Sequence, residues 1–303
     1  MTILKPCLAA LALLAPMFCL SSCNHADAAT GQLRPAPAEA QDVTKEKAIL
    51  IQYLEIVTPD VDATCSALAK VHGVTFGEPD AGFGNARTAA LEGGGWIGVR
   101  APMAEHDKPV VRPYALVDDI EAAVKAVEEA GGELGMGATE IPGRGKFAIY
   151  FSRGTQFGLW ETPTSTVPAV PAEEQEATPE KAMLIQYLEI VTPDVDATCS
   201  ALAKVHGVTF GEPDAGLGNA RTAALEGGGR IGVRASMAEH DKPVVRPYAL
   251  VGDIEAGVKA VEAAGGELAM GATEIPGQGK FAIYFFGGTQ FGLWETTVAK
   301  ASR

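Results

Sequence analysis

Basic residues are scarce in this chain: 24 Lys and Arg stand against 38 Asp and Glu, for a net charge of −14. Nucleic-acid binding needs clustered Lys and Arg to neutralise phosphates. No basic patch supplies them, so nucleic acid is excluded as a partner, and the acidic balance points to a well-hydrated surface. Histidine and cysteine are scarce too, with five of each. No Cys-x-x-Cys and no Cys/His metal spacing occurs. A span-length apolar run is also missing, because Leu8–Leu20 is too short to cross a bilayer.

That run nonetheless has the size of a signal-peptide core, follows Lys5, and ends in Leu20-Ser21-Ser22-Cys23. The tetrapeptide resembles a bacterial lipobox. The resemblance implies that residues 1–22 are removed, that Cys23 is lipidated, and that the protein is exported to the periplasmic face of a membrane. More than one acyl chain makes a stable anchor, and it would be the chain's only membrane contact. Asn24 is not the Asp linked to inner-membrane retention, which points to the outer membrane. The alternative is an ordinary secretory signal cut near Ala28 or Ala29, leaving the protein free. Cys7 and Cys19 leave with the signal, while Cys65 and Cys199 are expected to be buried free thiols.

The strongest pattern is a duplication. Residues 46–162 recur at 180–296 without a gap and with only about eleven differences. A unit this long buries its own core, so it reads as a duplicated domain rather than a solenoid repeat. Residues 23–45, rich in Ala, Pro and Gln, read as a flexible tether. Residues 163–179 form a Pro- and Glu-rich linker between a first domain, 46–162, and a second, 180–297. Two independent beads on a short string are expected.

Within the first copy, Leu50–Thr58 is strand-like, and Asp60 then caps a helix that runs to about Val71 and ends at Gly73. Short strands are expected at Val74–Phe76, Ala86–Leu91 and Trp96–Arg100, separated by Gly-rich turns. The order then begins again: strand Val110–Val117, helix Ile120–Ala130 closed by Gly131-Gly132, and strands near Glu133–Thr139, Lys146–Phe151 and Gln156–Glu161.

This order, with TPDVDA opening the first helix, VDDIEAAVKAVEEAGGE carrying the second, and IPGRGKFAIYFSRGTQFGLWE closing the domain, resembles the glyoxalase/bleomycin-resistance/dioxygenase, or vicinal oxygen chelate (VOC), superfamily. The closing G-x-x-F-G-L-W looks most like its tandem two-domain, hydroxylase-like branch. The resemblance implies an α+β fold of two tandem domains, each made of two βαβββ units that form a cup-shaped mixed sheet with helices outside. It also implies a ligand or divalent metal in the cup. Metal-using members place His or Glu at four cup-facing positions, which fall here on Tyr53, Gly98, Arg112 and Gly158, and in the second copy on Tyr187, Gly232, Arg246 and Gly292. None is a usual ligand type, and a guanidinium cannot coordinate. No metal and no cofactor is therefore expected. His72 and His206 are expected to serve as cationic caps at helix C-termini, and His106 and His240 to lie in loops.

Strand alternation defines the cup face without reference to the family. It gathers Tyr53, Glu55, Trp96, Arg100, Arg112, Tyr114, Gln156 and Trp160, and in the second copy Tyr187, Glu189, Arg230, Arg234, Arg246, Tyr248 and Trp294. The opposite parity, Leu54, Ile56, Ile97, Val99, Ala115, Val117, Phe157 and Leu159, should pack against helices. Two guanidiniums among aromatic walls suit a small anionic or aromatic molecule. Equally, Glu55 pairing with Arg100 or Arg112 would only neutralise buried charge. Three functions stay open: metal-free small-molecule binding, an enzyme using Glu55 or Tyr53 as acid or base, and a structural or partner-binding module. Arg87 and Arg221 are expected at a sheet edge in solvent. Among the differences, Trp96→Arg230 changes the cup, Arg144→Gln278 its border, Ser152-Arg153→Phe286-Gly287 a turn, and Asp118→Gly252 a candidate cap.

Overall fold

A computed structural model describes residues 47–104, 107–163, 181–238 and 241–297. The expected signal and tether, Cys23, most of the expected linker, His106 and His240 lie outside these residues. No helix among the described residues is long and apolar enough to cross a membrane.

In the first copy, strand β1 (Ile51–Val57) leads into helix α1 (Val61–His72), strands β2 (Arg87–Ala90), β3 (Trp96–Arg100) and β4 (Val110–Leu116), helix α2 (Ile120–Glu129), and strands β5 (Glu133–Ile141), β6 (Gly145–Ser152) and β7 (Thr155–Glu161). The second copy repeats this with β8 (Ile185–Thr192), α3 (Val195–His206), β9 (Arg221–Ala224), β10 (Arg230–Ala235), β11 (Val244–Leu250), α4 (Ile254–Ala263), β12 (Glu267–Ile275), β13 (Gly279–Phe286) and β14 (Thr289–Thr296). Each copy forms its own seven-stranded mixed sheet, in the orders β2-β3-β1-β4-β7-β6-β5 and β12-β13-β14-β11-β8-β10-β9. The fold is α+β in two tandem domains.

Local chemistry sets the boundaries. The Asp60 carboxylate accepts from the Ala63 N–H at 3.1 Å, and Gly73, in the left-handed region, closes α1. Asp119, not Asp118, caps α2 through Ala122 N–H, and Asp253 does the same for α4, so Asp118→Gly252 removes no cap. Val74–Phe76 is not a strand. The chain there runs irregularly, and Gly77 N–H just beyond it donates to the Thr88 carbonyl.

The two domains are not independent beads. Leu54, Ile56, Ile97, Val99 and Leu159 join Leu188, Ile190, Val233 and Leu293 in one continuous core, with α1 packed on α4 and α2 on α3. The copies also exchange backbone: Ile49 N–H donates to the Ala224 carbonyl, and Met183 N–H donates to that of Ala90, both at 3.0 Å. The near-duplicate helices each present an apolar face, and the cheapest way to cover it is the other copy's equivalent face. Ser152-Arg153→Phe286-Gly287 belongs to this junction as well as to its turn. Phe286 enters the shared core, and the Thr58 hydroxyl donates to the Gly287 carbonyl at 3.1 Å.

His72 and His206 also belong to the junction, which corrects their expected role as exposed cationic caps. Both are buried, and His72 Nε2 lies 3.1 Å from the Tyr284 hydroxyl of the other copy. Burial, with Lys181 and Lys47 respectively nearby, lowers both pKa values to about 4, so both rings are neutral at pH 7. Cys65 and Cys199 are free and buried.

Candidate functional site

With both helix layers inside the junction, the concave face of each sheet points away from the shared core. The first cup is built on β1, β3, β4 and β7. Tyr53 pairs across with Trp96 and Tyr114, Glu55 with Gly98 and Arg112, and Tyr114 with Gly158. The parity read from the sequence therefore holds. Tyr53, Tyr114 and Trp160 form a buried cluster with Phe83, and Trp96 packs against it.

Glu55 sits at the centre of the polar floor. It accepts from Arg100 Nε at 2.5 Å, from Arg112 Nη1, and from the Tyr114 hydroxyl at 2.9 Å, while Arg112 also donates to Gln156. The second cup repeats this with Glu189 accepting from Arg234 at 2.5 Å, from Arg246, and from Tyr248 at 3.0 Å, and Arg234 donates to Asp241 at 3.0 Å as well. Each carboxylate bridges three strands and neutralises charge the fold forces inward. Burial disfavours the Arg112 charge, but Glu55 and Tyr114 more than restore it, so its pKa lies above the ordinary arginine value. Burial, then Glu55, holds the Tyr114 phenol well above its usual range. The second floor thus sets two carboxylates, Glu189 and Asp241, against two guanidiniums, whereas in the first Glu55 accepts from both Arg100 and Arg112, and Arg112 Nε is buried without a partner among the described residues.

Sequence reasoning overlooked Phe83 and its mate Leu217, although this pair is one of the differences between copies. Asp241 was also missed, since nothing in a loop sequence shows that it folds back onto Arg234. Arg87 and Arg221 lie on the edge strands as expected, each tied to its helix through Asp62 at 2.8 Å and Asp196 at 2.9 Å.

No family model matches the chain. Two curated relatives, both named "Putative glyoxylase CFP32", from Mycobacterium bovis and Mycobacterium tuberculosis, are 25% identical over 241 residues, covering 76% of this chain and 88% of theirs. Among solved structures, the Mn(II)-bound glyoxalase from Novosphingobium aromaticivorans superimposes with a TM-score of 0.58 at 16% identity, covering 82% of each chain. A 4-hydroxymandelate synthase variant from Streptomyces coelicolor gives 0.56 at 13% identity, covering 85% of this chain and 94% of that one. The 2,3-dioxygenase LapB from Pseudomonas sp. KL28 gives 0.56 at 13% identity, covering 82% and 92%.

The chain has the vicinal oxygen chelate fold. Its cups do not fit the metal that this fold commonly carries. At the four positions that the family resemblance assigns to metal ligands stand Tyr53, Gly98, Arg112 and Gly158, and the glycines are not spare room. A Cβ on Gly98 would lie 2.0 Å from the Tyr53 hydroxyl oxygen, and one on Gly158 would lie 2.0 Å from the Tyr114 ring. The second cup repeats this: Tyr187 covers Gly232 at 1.9 Å and Tyr248 covers Gly292 at 2.0 Å. Two tyrosine rings occupy the space a pair of ligating side chains would use, and Arg112 brings a positive charge to the third position. Another acidic group, Asp119, Glu121 and Glu161, lies at the α2 N-terminus. Glu161 is already engaged there, accepting from Ile120 N–H at 2.7 Å, and Lys146 pairs with Glu121 at 2.8 Å.

Proposed function

We propose that this protein binds a small organic molecule in a VOC cup without the superfamily's usual metal. The observation that carries the reading is that, in both cups, tyrosine rings lie over the glycines at two of the four expected ligand positions while a tyrosine and an arginine stand at the other two. Of the two ligand chemistries left open by the sequence, an aromatic or apolar body is favoured over an anion, because Glu55 and Gln156 already engage the buried guanidiniums. The acid–base reading is weakened by the same cluster. Both oxygens of the Glu55 carboxylate are already occupied, one by Arg100 and the other by Arg112 and the Tyr114 hydroxyl. Thermal-shift screening of the full chain against aromatic ketones, phenols and carboxylates, with and without EDTA, tests the reading. Stabilisation that EDTA does not alter supports it, and stabilisation that requires added Mn, Fe, Ni or Zn would count against it.

The structural reading has one specific observation in its favour. Tyr53, Phe83, Tyr114 and Trp160 pack the floor of the first cup. That cup contributes burial whether or not it binds anything.

The proposal extends to location. Lys5, the Leu8–Leu20 run and Cys23 support an exported lipoprotein held on the periplasmic face of the outer membrane, with residues 23–45 as tether. Metabolic labelling with palmitate checks this: label should enter the mature protein and be lost in Cys23→Ala, and an unlabelled protein released to the periplasm would point to an ordinary signal.

A further inference from the structure

The two cups share a backbone plan but differ where they would meet a ligand. In the first, Phe83 stacks on Trp160 at 5.8 Å, contacts Tyr53 at 5.1 Å and abuts Trp96 at 6.1 Å between ring centroids. Arg144 lies over the Phe83 ring, 4.4 Å from its centroid, and is held by Asp80 at 2.5 Å. Phe83, Trp96 and Arg144 thus form one interlocked plug. All three are replaced in the second copy, by Leu217, Arg230 and Gln278.

Leu217 carries no ring on which to stack, and Gln278 does not cover it. Gln278 instead accepts from Arg230 at 2.7 Å and donates to Asp214 at 3.0 Å, drawing both polar side chains to the rim. Beside Leu217 lies a cavity of about 670 Å³, lined by Tyr187, Tyr248, Ile275, Phe281 and Trp294, within the range of about 300–1,000 Å³ usual for small-molecule sites. Tyr187 is only 4% exposed, and its hydroxyl, like that of Tyr53 in the first cup, has no hydrogen-bond partner among the described residues, but Tyr187 borders this cavity. Burial, then Glu189, raises its pKa, so it stays a protonated donor. A buried donor without a partner costs free energy that an acceptor on a ligand would recover. Met237 and Met270, 66% and 43% exposed, line the mouth together with Lys242. Thioether side chains suit an apolar rim that adapts to its guest.

We propose that the second cup alone is the binding cup, taking a flat, mainly apolar molecule whose buried end offers a carbonyl or similar uncharged acceptor to Tyr187. The first cup is its plugged copy. An uncharged acceptor is preferred because Arg234 and Arg246 are balanced by Glu189 and Asp241, leaving the floor without net charge to spend on an anion. This inference rests on the metal-free binding reading above and adds which cup binds, what opens it and which group reads the ligand.

The test titrates the full chain with 2-acetyl-6-(dimethylamino)naphthalene, a neutral, flat fluorophore with a ketone acceptor whose emission moves to the blue in apolar surroundings. One saturable site per chain is expected. The triple variant Leu217→Phe, Arg230→Trp, Gln278→Arg should weaken it at least tenfold. The reciprocal Phe83→Leu, Trp96→Arg, Arg144→Gln should raise the stoichiometry from one to two, and Tyr187→Phe should weaken binding severalfold with the blue shift retained. Each graft places residues that the other copy already accommodates, and far-UV circular dichroism confirms the fold. Two equal sites in the unmodified chain, or a single site indifferent to the first graft, would overturn the inference while leaving metal-free binding intact. Absence of saturable binding in all the proteins would overturn both.

Discussion

The Tyr53 ring lies across Gly98, on the neighbouring strand, so closely that a single added methyl would come within 2.0 Å of the phenolic oxygen. The two residues are one packing unit. Gly98→Ala should destabilise the protein by about 1–3 kcal/mol through overpacking. In a Tyr53→Leu background the same change should cost well under half as much. Urea denaturation of the four proteins in a double-mutant cycle measures the coupling.

Glu55 bears on the charge balance of the whole cup floor. Glu55→Gln leaves Arg100 and Arg112 without their carboxylate, and breaking a buried pair on one side costs about 3–5 kcal/mol. The expected outcome is a large fall in the denaturation midpoint, and Glu189→Gln should behave alike in the other cup. A variant of unchanged stability would show the cluster to be a replaceable site rather than part of the fold.

The junction histidines predict a pH dependence. Their folded pKa values of about 4 lie below the ordinary histidine value of 6.5. The folded state therefore binds fewer protons than the unfolded state between these values. The stability they lend is complete above about pH 6.5 and is lost as pH falls towards 4, by up to about 3 kcal/mol for each ring. Denaturant melts from pH 7.5 to 4.5 should show this loss, and His72→Gln with His206→Gln should flatten it.

Gly287 gives the junction a direction. A Cβ there would lie 2.1 Å from the Thr58 hydroxyl oxygen, whereas the first copy carries Arg153 at the matching position. Gly287→Arg should destabilise by about 2 kcal/mol. Arg153→Gly should cost about 1 kcal/mol or less. Thermal unfolding of the two variants side by side reads the difference.

Much of this was legible in the sequence, for reasons that particular residues make plain. Strand alternation put Glu55, Arg100, Arg112, Tyr114 and Trp160 on one face because a period of two leaves no other choice once Tyr53 is inward. Asp60 and Gly73 bounded α1 because capping is local chemistry. What was not legible joins distant parts of the chain. His72 reads locally as a cationic cap, and only the approach of Tyr284 from the other copy makes it a buried neutral ring. The shared core was likewise hidden, because a Pro-rich linker says that two domains are separable in sequence and nothing about whether their helix faces meet. Phe83 was passed over because it lies in a short turn outside the strands, where periodicity gives no direction.

Binding in the second cup needs no metal on this reading, since tyrosine rings lie over the glycines at two of the expected ligand positions and Arg246 stands at a third. The most direct measurement is elemental analysis of the full chain purified without chelator, paired with titration by the naphthyl ketone before and after exhaustive EDTA treatment. Far less than one equivalent of Mn, Fe, Ni or Zn per chain is expected, with the same ketone affinity in both preparations. One or two tightly held equivalents whose removal abolishes binding would contradict this reading.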